Sequence, residues 1–449
     1  MTTLTAEPRT IIRDIFGHSW EGRRVTVVGL GRSGFAAAQL LCRLGCRVRV
    51  TDARATEELR AAEALLRSSG VEEIELGGHS EPFVDQAELL VVSPGVPDMT
   101  GPIPWALARS IPVISEIELA FHFCPSPIIA VTGTNGKSTT VTLIANILKA
   151  GGRDAIACGN LGIPFASVLE GLTPQMTVVL EVSSFQLLWC EQFRPHIGLL
   201  LNIGTNHLDR HQGREAYCAA KARLFRRQTP HDWAVLNGSD PNVLKLSESL
   251  RAKRVWFGEN RSNSPERQLA EATRRSLTEG AQAVLQVSRL MGIADPLAWQ
   301  VLRSFRGLEH RMEHVATIGG IRFVNDSKST TPDSLLFALR QTPGEIVVIL
   351  GGRDKGLDFQ PLAEPLHQAR VKGAVLIGES RARLRPILNG SMTVVEQETL
   401  EGAVAAASAL AEPGATVLFS PACASFDMFR DFEARGRAFK EIVNRRAGA

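Results

Sequence analysis

Four times along the chain, a short apolar run rich in β-branched residues ends in a loop of glycine or small polar residues, and a helical pattern follows. The stretches are RRVTVVGLGRSGFAAAQLLCRLG, PIIAVTGTNGKSTTVTLIANILKAGG, EIVVILGGRDKGLDF and ATVLFSPACASFDMFRDFEARGRAF. Short apolar strands alternating with helices predict an α/β chain built on parallel sheets with helices on their faces. Ligands of such sheets gather at the carboxyl ends of the strands, so these loops are where chemistry is expected. A length of 449 residues fits about three domains. FHFCPSP and SFRGLEHRMEHV place their boundaries near 116 and 310, giving segments 1–115, 116–310 and 311–449. The polar stretch 258–280 is expected to be a solvated loop and a surface helix.

The first loop carries Gly29, Gly31 and Gly34 as G-x-G-x-x-G directly after RVTVV, and Asp52 closes the next strand, RVRVTDAR. That spacing is the dinucleotide fingerprint, with the acid placed for a ribose. The bland alternative is a tight turn that binds nothing, with Asp52 a solvated strand end.

The second loop, VTGTNGKSTT at residues 131–140, lacks the first glycine of the full phosphate-loop pattern, because Val131 stands there. Gly136 still lets successive N–H groups face a phosphate at a helix N-terminus. Lys137 supplies charge to the β- and γ-phosphates, and Ser138, with Thr139 behind it, supplies a hydroxyl for Mg²⁺. The alternative is a plain helix cap. Mg²⁺ held by a hydroxyl and phosphates also wants a carboxylate, and Glu181 at the end of TVVLEVSS offers one. Taken alone, Glu181 reads equally as a salt-bridged core acid. In NHLDRH, His207 and His211 make H-x-x-x-H, but Leu208 stands where a zinc protease has its glutamate. His207 reads as a helper of a second Mg²⁺ or as a helix cap.

The overall balance removes other classes. A net charge of +3 without a dense basic block speaks against nucleic acid as a partner. Seven cysteines without a C-x-x-C pair fit a reducing cytosol. The N-terminus has no apolar signal region and no apolar run is long enough to span a bilayer, so a cytoplasmic protein without membrane contact is expected. A dehydrogenase would use only the first loop, with NAD, and a motor ATPase only the second. A chain with both can hold a nucleotide-carried acid in one domain and ATP in the next, as an ATP-driven ligase does. A non-catalytic nucleotide-binding protein is the remaining class.

GTNGKST, EVSSFQL, NHLDRH, AAKARLF, GLEHRMEHV, VNDSKSTTPDS and SPACASFDMF stand in the order found in the Mur ligases, which the chain resembles over nearly its whole length. GLGRSG, SPGVP and SPACASFD are most similar to the branch that adds D-glutamate. The resemblance implies a Rossmann-like N-terminal domain for a UDP-linked substrate, a central ATPase domain and a Rossmann-like C-terminal domain for the amino acid. The implied reaction joins D-glutamate to UDP-N-acetylmuramoyl-L-alanine through an acyl phosphate, in peptidoglycan precursor synthesis, by a monomer. For ATP the resemblance implies Gly133, Thr134, Asn135, Gly136, Lys137, Ser138 and Thr139, with Arg311 and Asp326 at its phosphates and ribose. It implies two Mg²⁺ ions served by Ser138, Glu181, His207 and Lys221, the last N-carboxylated. It gives Ser33, Asp52, Arg54, Gly95 and Asn160 to the UDP-sugar, and Lys328, Thr330, Lys355, Ser425 and Phe432 to D-glutamate.

Read without the resemblance, several of these have plainer roles. Arg54 is a solvated charge and Lys221 a surface lysine on an amphipathic helix. Phe432 is a core residue on one helical face with Phe429 and Phe439, and Ser425 caps a helix starting at Phe426. Two departures from the family pattern stand out. Asn206 replaces an acid before the histidine, and the H-N-x-x-N expected near adenine is not visible around RRSLTEGAQ.

Overall fold

The computed structural model describes residues 19–97, 101–160, 162–204, 211, 213–258, 279–305, 307–354, 356–388 and 392–448. Asn206, His207, Lys355 and most of 258–280 lie outside them. The chain forms three α/β domains, one sheet each, and divides into two compact units, Met1–Phe305 and Arg306–Ala449.

In the first unit, β1 (Arg24–Val28), β2 (Arg47–Asp52), β3 (Glu73–Leu76), β4 (Leu89–Val92) and β5 (Val113–Ser115) form a parallel sheet in the order 3-2-1-4-5. β6 (Ile128–Thr132), β7 (Ala155–Gly159), β8 (Thr177–Glu181), β9 (Ile197–Leu200), β10 (Trp233–Asn237) and β11 (Lys253–Phe257) form a second in the order 11-10-9-6-8-7. Every residue of β4, β6, β8 and β9 is buried, which is why their sequences are unbroken apolar runs and not alternating ones. Val131 is one of them: it pairs with Glu181 and Leu199 inside the sheet. The phosphate loop therefore begins only at Gly133, and no glycine is needed two residues earlier.

Four helices position the site. α1 (Arg32–Arg43) follows the first glycine loop, α2 (Glu116–Phe123) joins the two sheets, α3 (Lys137–Ala150) follows the phosphate loop, and α4 (Arg214–Ala222) packs near it. Residues from both sheets share one apolar cluster that includes Val27, Leu41, Ile117, Ile128 and Leu180. At full burial each such side chain contributes roughly 1.5–3 kcal/mol.

In the second unit, β12 (Glu313–Ile318), β13 (Ile321–Asn325), β14 (Ile346–Gly351), β15 (Val371–Ile377), β16 (Thr393–Glu396) and β17 (Thr416–Phe419) take the order 12-13-17-14-15-16. Only the β12–β13 hairpin is antiparallel. α5 (Phe432–Ala447) closes the chain, with Asp431 as its N-cap accepting from the Ala434 N–H. This corrects two sequence expectations. No helix starts at Phe426, so Ser425 caps none, and Phe429 lies before α5, so it shares no helical face with Phe439. The capping aspartate, not the aromatic pattern, sets the start.

No helix among the described residues is long and apolar enough to cross a membrane.

Candidate active site

β6 runs between β8 and β9. The loop after it is therefore flanked by the end of β8, with Glu181, and the end of β9, with Asn202. Asn202 clamps the loop from one side. Its carbonyl accepts from the Thr134 N–H at 3.0 Å and its side-chain oxygen accepts from the Asn135 N–H at 2.9 Å. Gly136 caps α3 with φ +84°, a left-handed conformation that favours glycine. A Cβ on Gly133 would lie 2.9 Å from the Leu201 side chain. Lys137 folds back over its own loop, donating to the carbonyls of Gly133 and Thr134 at 2.9 and 3.1 Å. Ser138 is buried, and Thr139 is half-buried one residue further along α3.

Glu181 is 3% exposed. Oε1 accepts from the Asn160 amide at 3.0 Å, and the Glu181 carbonyl accepts from the Asn160 N–H. Among the described residues, Oε2 is buried with no hydrogen-bond partner. An orphaned carboxylate oxygen beside a phosphate loop is costly unless something occupies it. The structure thus brings Asn160, expected at the UDP-sugar, to the carboxylate expected at the metal.

Lys221 is 1% exposed, so the solvated-face alternative does not describe it. Among the described residues no carboxylate pairs with it. Its Nζ lies 4.6 Å from the centroid of the Tyr217 ring, one turn earlier on α4. Burial, together with the Lys137 charge, pushes the ammonium well below the usual lysine range. The Tyr217 hydroxyl is 3.1 Å from Thr134 Oγ1, which accepts from the Gly204 N–H at 2.7 Å. His211 is buried, 2.8 Å from Ser184 Oγ through Nε2, and stacks on Phe185. It is thus a satisfied core histidine.

In the first sheet, Gly34 lies so close to the Gly29 carbonyl that a Cβ would collide with it. Asp52 is neither a solvated strand end nor an open acceptor. Oδ2 accepts from the Leu30 N–H at 2.7 Å and Arg54 Nη2 at 3.1 Å, and Oδ1 accepts from Arg54 N at 2.9 Å and Arg54 Nε at 3.1 Å. Those four bonds fill the four acceptor positions of a carboxylate. Burial pushes its pKa up, but the Arg54 and Leu30 hydrogen bonds outweigh burial and hold it below the usual value. The acid pins the glycine loop and aims Arg54, whose side chain is 62% exposed. Ser33 is half-buried in the first turn of α1, and Gly95 is exposed after β4.

In the second unit, the loops after β13, β14 and β17 lie side by side because β17 runs between the other two strands. Asp326 accepts from Met312 N–H at 3.1 Å and Ser420 Oγ at 2.8 Å, and burial raises its carboxyl to about 6. His310 and Met312, on either side of Arg311, and Ala422 in the SPACAS loop all have positive φ, at 62°, 47° and 59°. Non-glycine residues held there mark strain that tends to collect at functional segments. Lys328 donates its N–H to the His310 carbonyl at 3.0 Å. Arg435, 1% exposed, ties these loops together through Ser327 Oγ (3.0 Å), the Ser327 carbonyl (2.7 Å) and the Cys423 carbonyl (3.0 Å). Ser327 Oγ also donates to the Phe432 carbonyl at 2.8 Å. Lys328 and Thr330, Ser425, and Phe432 therefore belong to one cluster of loops.

Residues 23–115 match the Mur ligase MurD-like N-terminal domain, 131–292 the Mur ligase middle domain, and 310–423 the glutamate ligase domain of Mur ligases. The UDP-N-acetylmuramoylalanine--D-glutamate ligase of Koribacter versatilis is 39% identical over 448 residues, covering 95% of this chain and 98% of its own. The chain belongs to the Mur ligase family. Two solved structures share the fold of this Mur ligase. UDP-N-acetylmuramate-alanine ligase MurC of Thermotoga maritima has a TM-score of 0.58 at 19% identity, covering 94% of this chain and 99% of its own. The MurF ligase of the same organism, in complex with ADP, has a TM-score of 0.57 at 16% identity, covering 95% and 96%.

Sequence reasoning missed Asn202, Tyr217 and Arg435 in this Mur ligase. Tyr217 is the chain's single tyrosine, and Asn202 ends a buried strand beside the loop; both features were legible. Nothing in the sequence marks Arg435, which looks like any arginine on a charged helix. The described residues contain no group of three or more His, Cys, Asp or Glu able to cage a metal. The orphaned Glu181 oxygen and the buried Ser138 instead fit an ion held by one carboxylate, one hydroxyl and phosphate oxygens, as Mg²⁺ commonly is.

Proposed function

We propose that this Mur ligase is an ATP-dependent ligase that joins D-glutamate to UDP-N-acetylmuramoyl-L-alanine in peptidoglycan precursor synthesis. The observation that carries the reading is the phosphate loop of β6, with Lys137 across it and the orphaned Glu181 oxygen beside it. The substrates follow from the 39% identical UDP-N-acetylmuramoylalanine--D-glutamate ligase of Koribacter versatilis. Segment 1–115 binds the UDP-linked acid, 116–310 binds ATP, and 311–449 binds the amino acid. The dehydrogenase reading is not favoured: it leaves Lys137 and Glu181 without a role, and the saturated Asp52 has no position left for a ribose hydroxyl.

A carboxylate does not react with an amine, because the group leaving would be oxide. Transfer of the γ-phosphoryl group to the carboxylate oxygen gives an acyl phosphate. Attack by the amine of D-glutamate then breaks the C–O bond and releases phosphate. Bringing two anions together is the difficulty of the first step, and catalysis is mostly positioning and charge. The loop N–H groups and the α3 N-terminus hold the phosphates, and Lys137 leaves its own carbonyls to meet them. Bound Mg²⁺, two ions in this reading, would offset the charge between the phosphates and the acceptor carboxylate. Glu181, Ser138, His207 and Lys221 are the residues to hold it.

Lys221 joins that set as a carbamate. The support is its burial and depressed pKa, since the neutral amine is the form that adds CO₂. The product is an anion with oxygen ligands for a hard cation. In the second unit, Lys328, Thr330, Lys355, Ser425 and Phe432 bind D-glutamate, and Arg311 and Asp326 serve ATP.

Phosphate release decides the reading. It is expected to need ATP, UDP-N-acetylmuramoyl-L-alanine and D-glutamate together. A preference for another amino acid reassigns the substrate, and no turnover at any concentration leaves a non-catalytic relative.

A further inference from the structure

Beyond Asp52, the carboxyl end of β2 and β3 carries a second polar network, built on Thr51, Glu75 and His79. Thr51 Oγ1 lies 2.9 Å from Glu75 Oε2, 3.2 Å from the Gly78 carbonyl and 2.8 Å from His79 Nδ1. Thr51 is fully buried, and Glu75 Oε2 also accepts from the Ser80 N–H at 3.0 Å.

Donor counting fixes the state of the ring. A threonine hydroxyl has one proton. The Glu75 carboxylate and the Gly78 carbonyl can only accept, so that proton goes to one of them. If His79 Nδ1 also presented a lone pair, Thr51 Oγ1 would face three acceptors with a single proton. Nδ1 must therefore be the donor, and in the neutral ring Nε2 then carries a bare lone pair. Burial lowers the ring's pKa against the opposing charges of Asp52 and Glu75, so the neutral form prevails at pH 7.

The ring's placement shows which edge is open. The Nδ1 edge is against Thr51, and Gly101 packs on Cδ2, where a Cβ would lie 3.4 Å away. The ring is half-exposed, and Nε2 takes no hydrogen bond among the described residues. In doubly wound sheets the nucleoside end of a bound nucleotide lies by the acid that closes the second strand. Here that acid holds Arg54, so a ligand at this end meets the exposed guanidinium as a donor and His79 Nε2 as an acceptor.

We infer that His79 is a specificity-determining residue that reads the imide N–H of a uracil base, while Arg54 serves the flanking carbonyls. The inference rests on the UDP-linked substrate proposed above. Uracil presents acceptor, donor, acceptor along that edge. Cytosine presents a lone pair at the same ring nitrogen, which would face the lone pair of Nε2. A polar group built for one partner rejects an analogue that leaves it unpaired.

The test uses the full chain, with imidazole ¹⁵N spectra for the tautomer and calorimetry with UDP and CDP for the preference. Wild type is expected in the Nδ1–H form and to prefer UDP at least about tenfold, the scale of one lost hydrogen bond. His79→Phe should bring the ratio close to one. Thr51→Val keeps the ring but frees Nδ1, and should move the tautomer toward Nε2–H and lower UDP affinity. An Nε2–H ring in wild type, or an undiminished UDP preference in His79→Phe, overturns the inference and leaves the proposed ligase standing. Failure of wild type to bind UDP overturns the nucleotide reading of the first sheet, and the inference with it.

Discussion

The two glycine loops of the first unit look alike in sequence and differ in what surrounds them. Beside the loop after β1, Asp52 has every acceptor position filled, two of its four bonds coming from backbone N–H groups. Beside the loop after β6, Glu181 keeps one buried oxygen unmatched among the described residues, and the nearby Lys137 donates to two carbonyls of its own loop. The first carboxylate is scaffold. It shapes a loop and aims an arginine, with its acceptor positions filled by the protein itself. The second is under-satisfied, and the proposed cation would fill the gap. An acid at the carboxyl end of a strand says little by itself; the count of its partners separates the two roles.

The largest effects should fall on the second loop. Lys137→Ala removes the charge at the transferring phosphate and should lower kcat at least ~100-fold, the scale for one strong transition-state contact. Near-normal kcat in the folded variant would break the comparison at its stronger end. Glu181→Gln keeps the size and the Asn160 contact but removes the charge. A loss on the order of 100-fold is expected, with more Mg²⁺ needed for half-maximal rate. An unchanged Mg²⁺ requirement would mean the orphaned oxygen is not a metal ligand.

The scaffold carboxylate should behave differently. Asp52→Asn still accepts from Leu30 but loses the charged hold on Arg54. KM for the UDP-linked substrate should rise about tenfold, equivalent to about 1.4 kcal/mol, with kcat little changed, because binding and not the chemical step is touched. A fall in kcat as large as that of Glu181→Gln would erase the distinction.

How much of this was readable beforehand follows the same line. The α/β class, the phosphate loop and Glu181 were legible because unbroken apolar runs and glycine spacing are local features. The burial and partners of Asp52 and Lys221 are not legible, since each depends on packing against residues distant in sequence. For Lys221, AAKARLF reads as an amphipathic surface helix until packing buries the lysine. FDMFRDF has helical spacing that suggests an earlier start for α5, while the Asp431 cap that decides the boundary lies inside it. Lys355 and His207 belong to the described loops' neighbours in sequence only, and their roles rest on the family pattern.

Glu116 sharpens the comparison, because it combines the features of the other two acids. It opens α2, is 1% exposed, and accepts through Oε1 from the Ala166 N–H at 2.6 Å, while Oε2 is buried without a partner among the described residues. Partner counting alone would class it with Glu181. It opens the helix that joins the two sheets and is held by the Ala166 backbone, where the orphaned oxygen is better served by a proton than by a metal. Burial accordingly raises its carboxyl to about 7, against the lowering effect of the Ala166 and Phe165 backbone bonds. The sign follows from the folded state holding its proton to higher pH than the unfolded state, whose carboxyl titrates near 4.5. The stability this contributes is full below pH ~4.5 and is lost as pH rises toward ~7. Glu116→Gln keeps an oxygen for Ala166 and cannot ionise. The stability of wild type relative to this variant should therefore fall by on the order of 3 kcal/mol across that window, read from denaturation midpoints of both proteins at each pH. Turnover should barely change. A flat difference would mean that Glu116 ionises freely despite its orphaned oxygen, and an unmatched oxygen at Glu181 would then be no guide to a metal either.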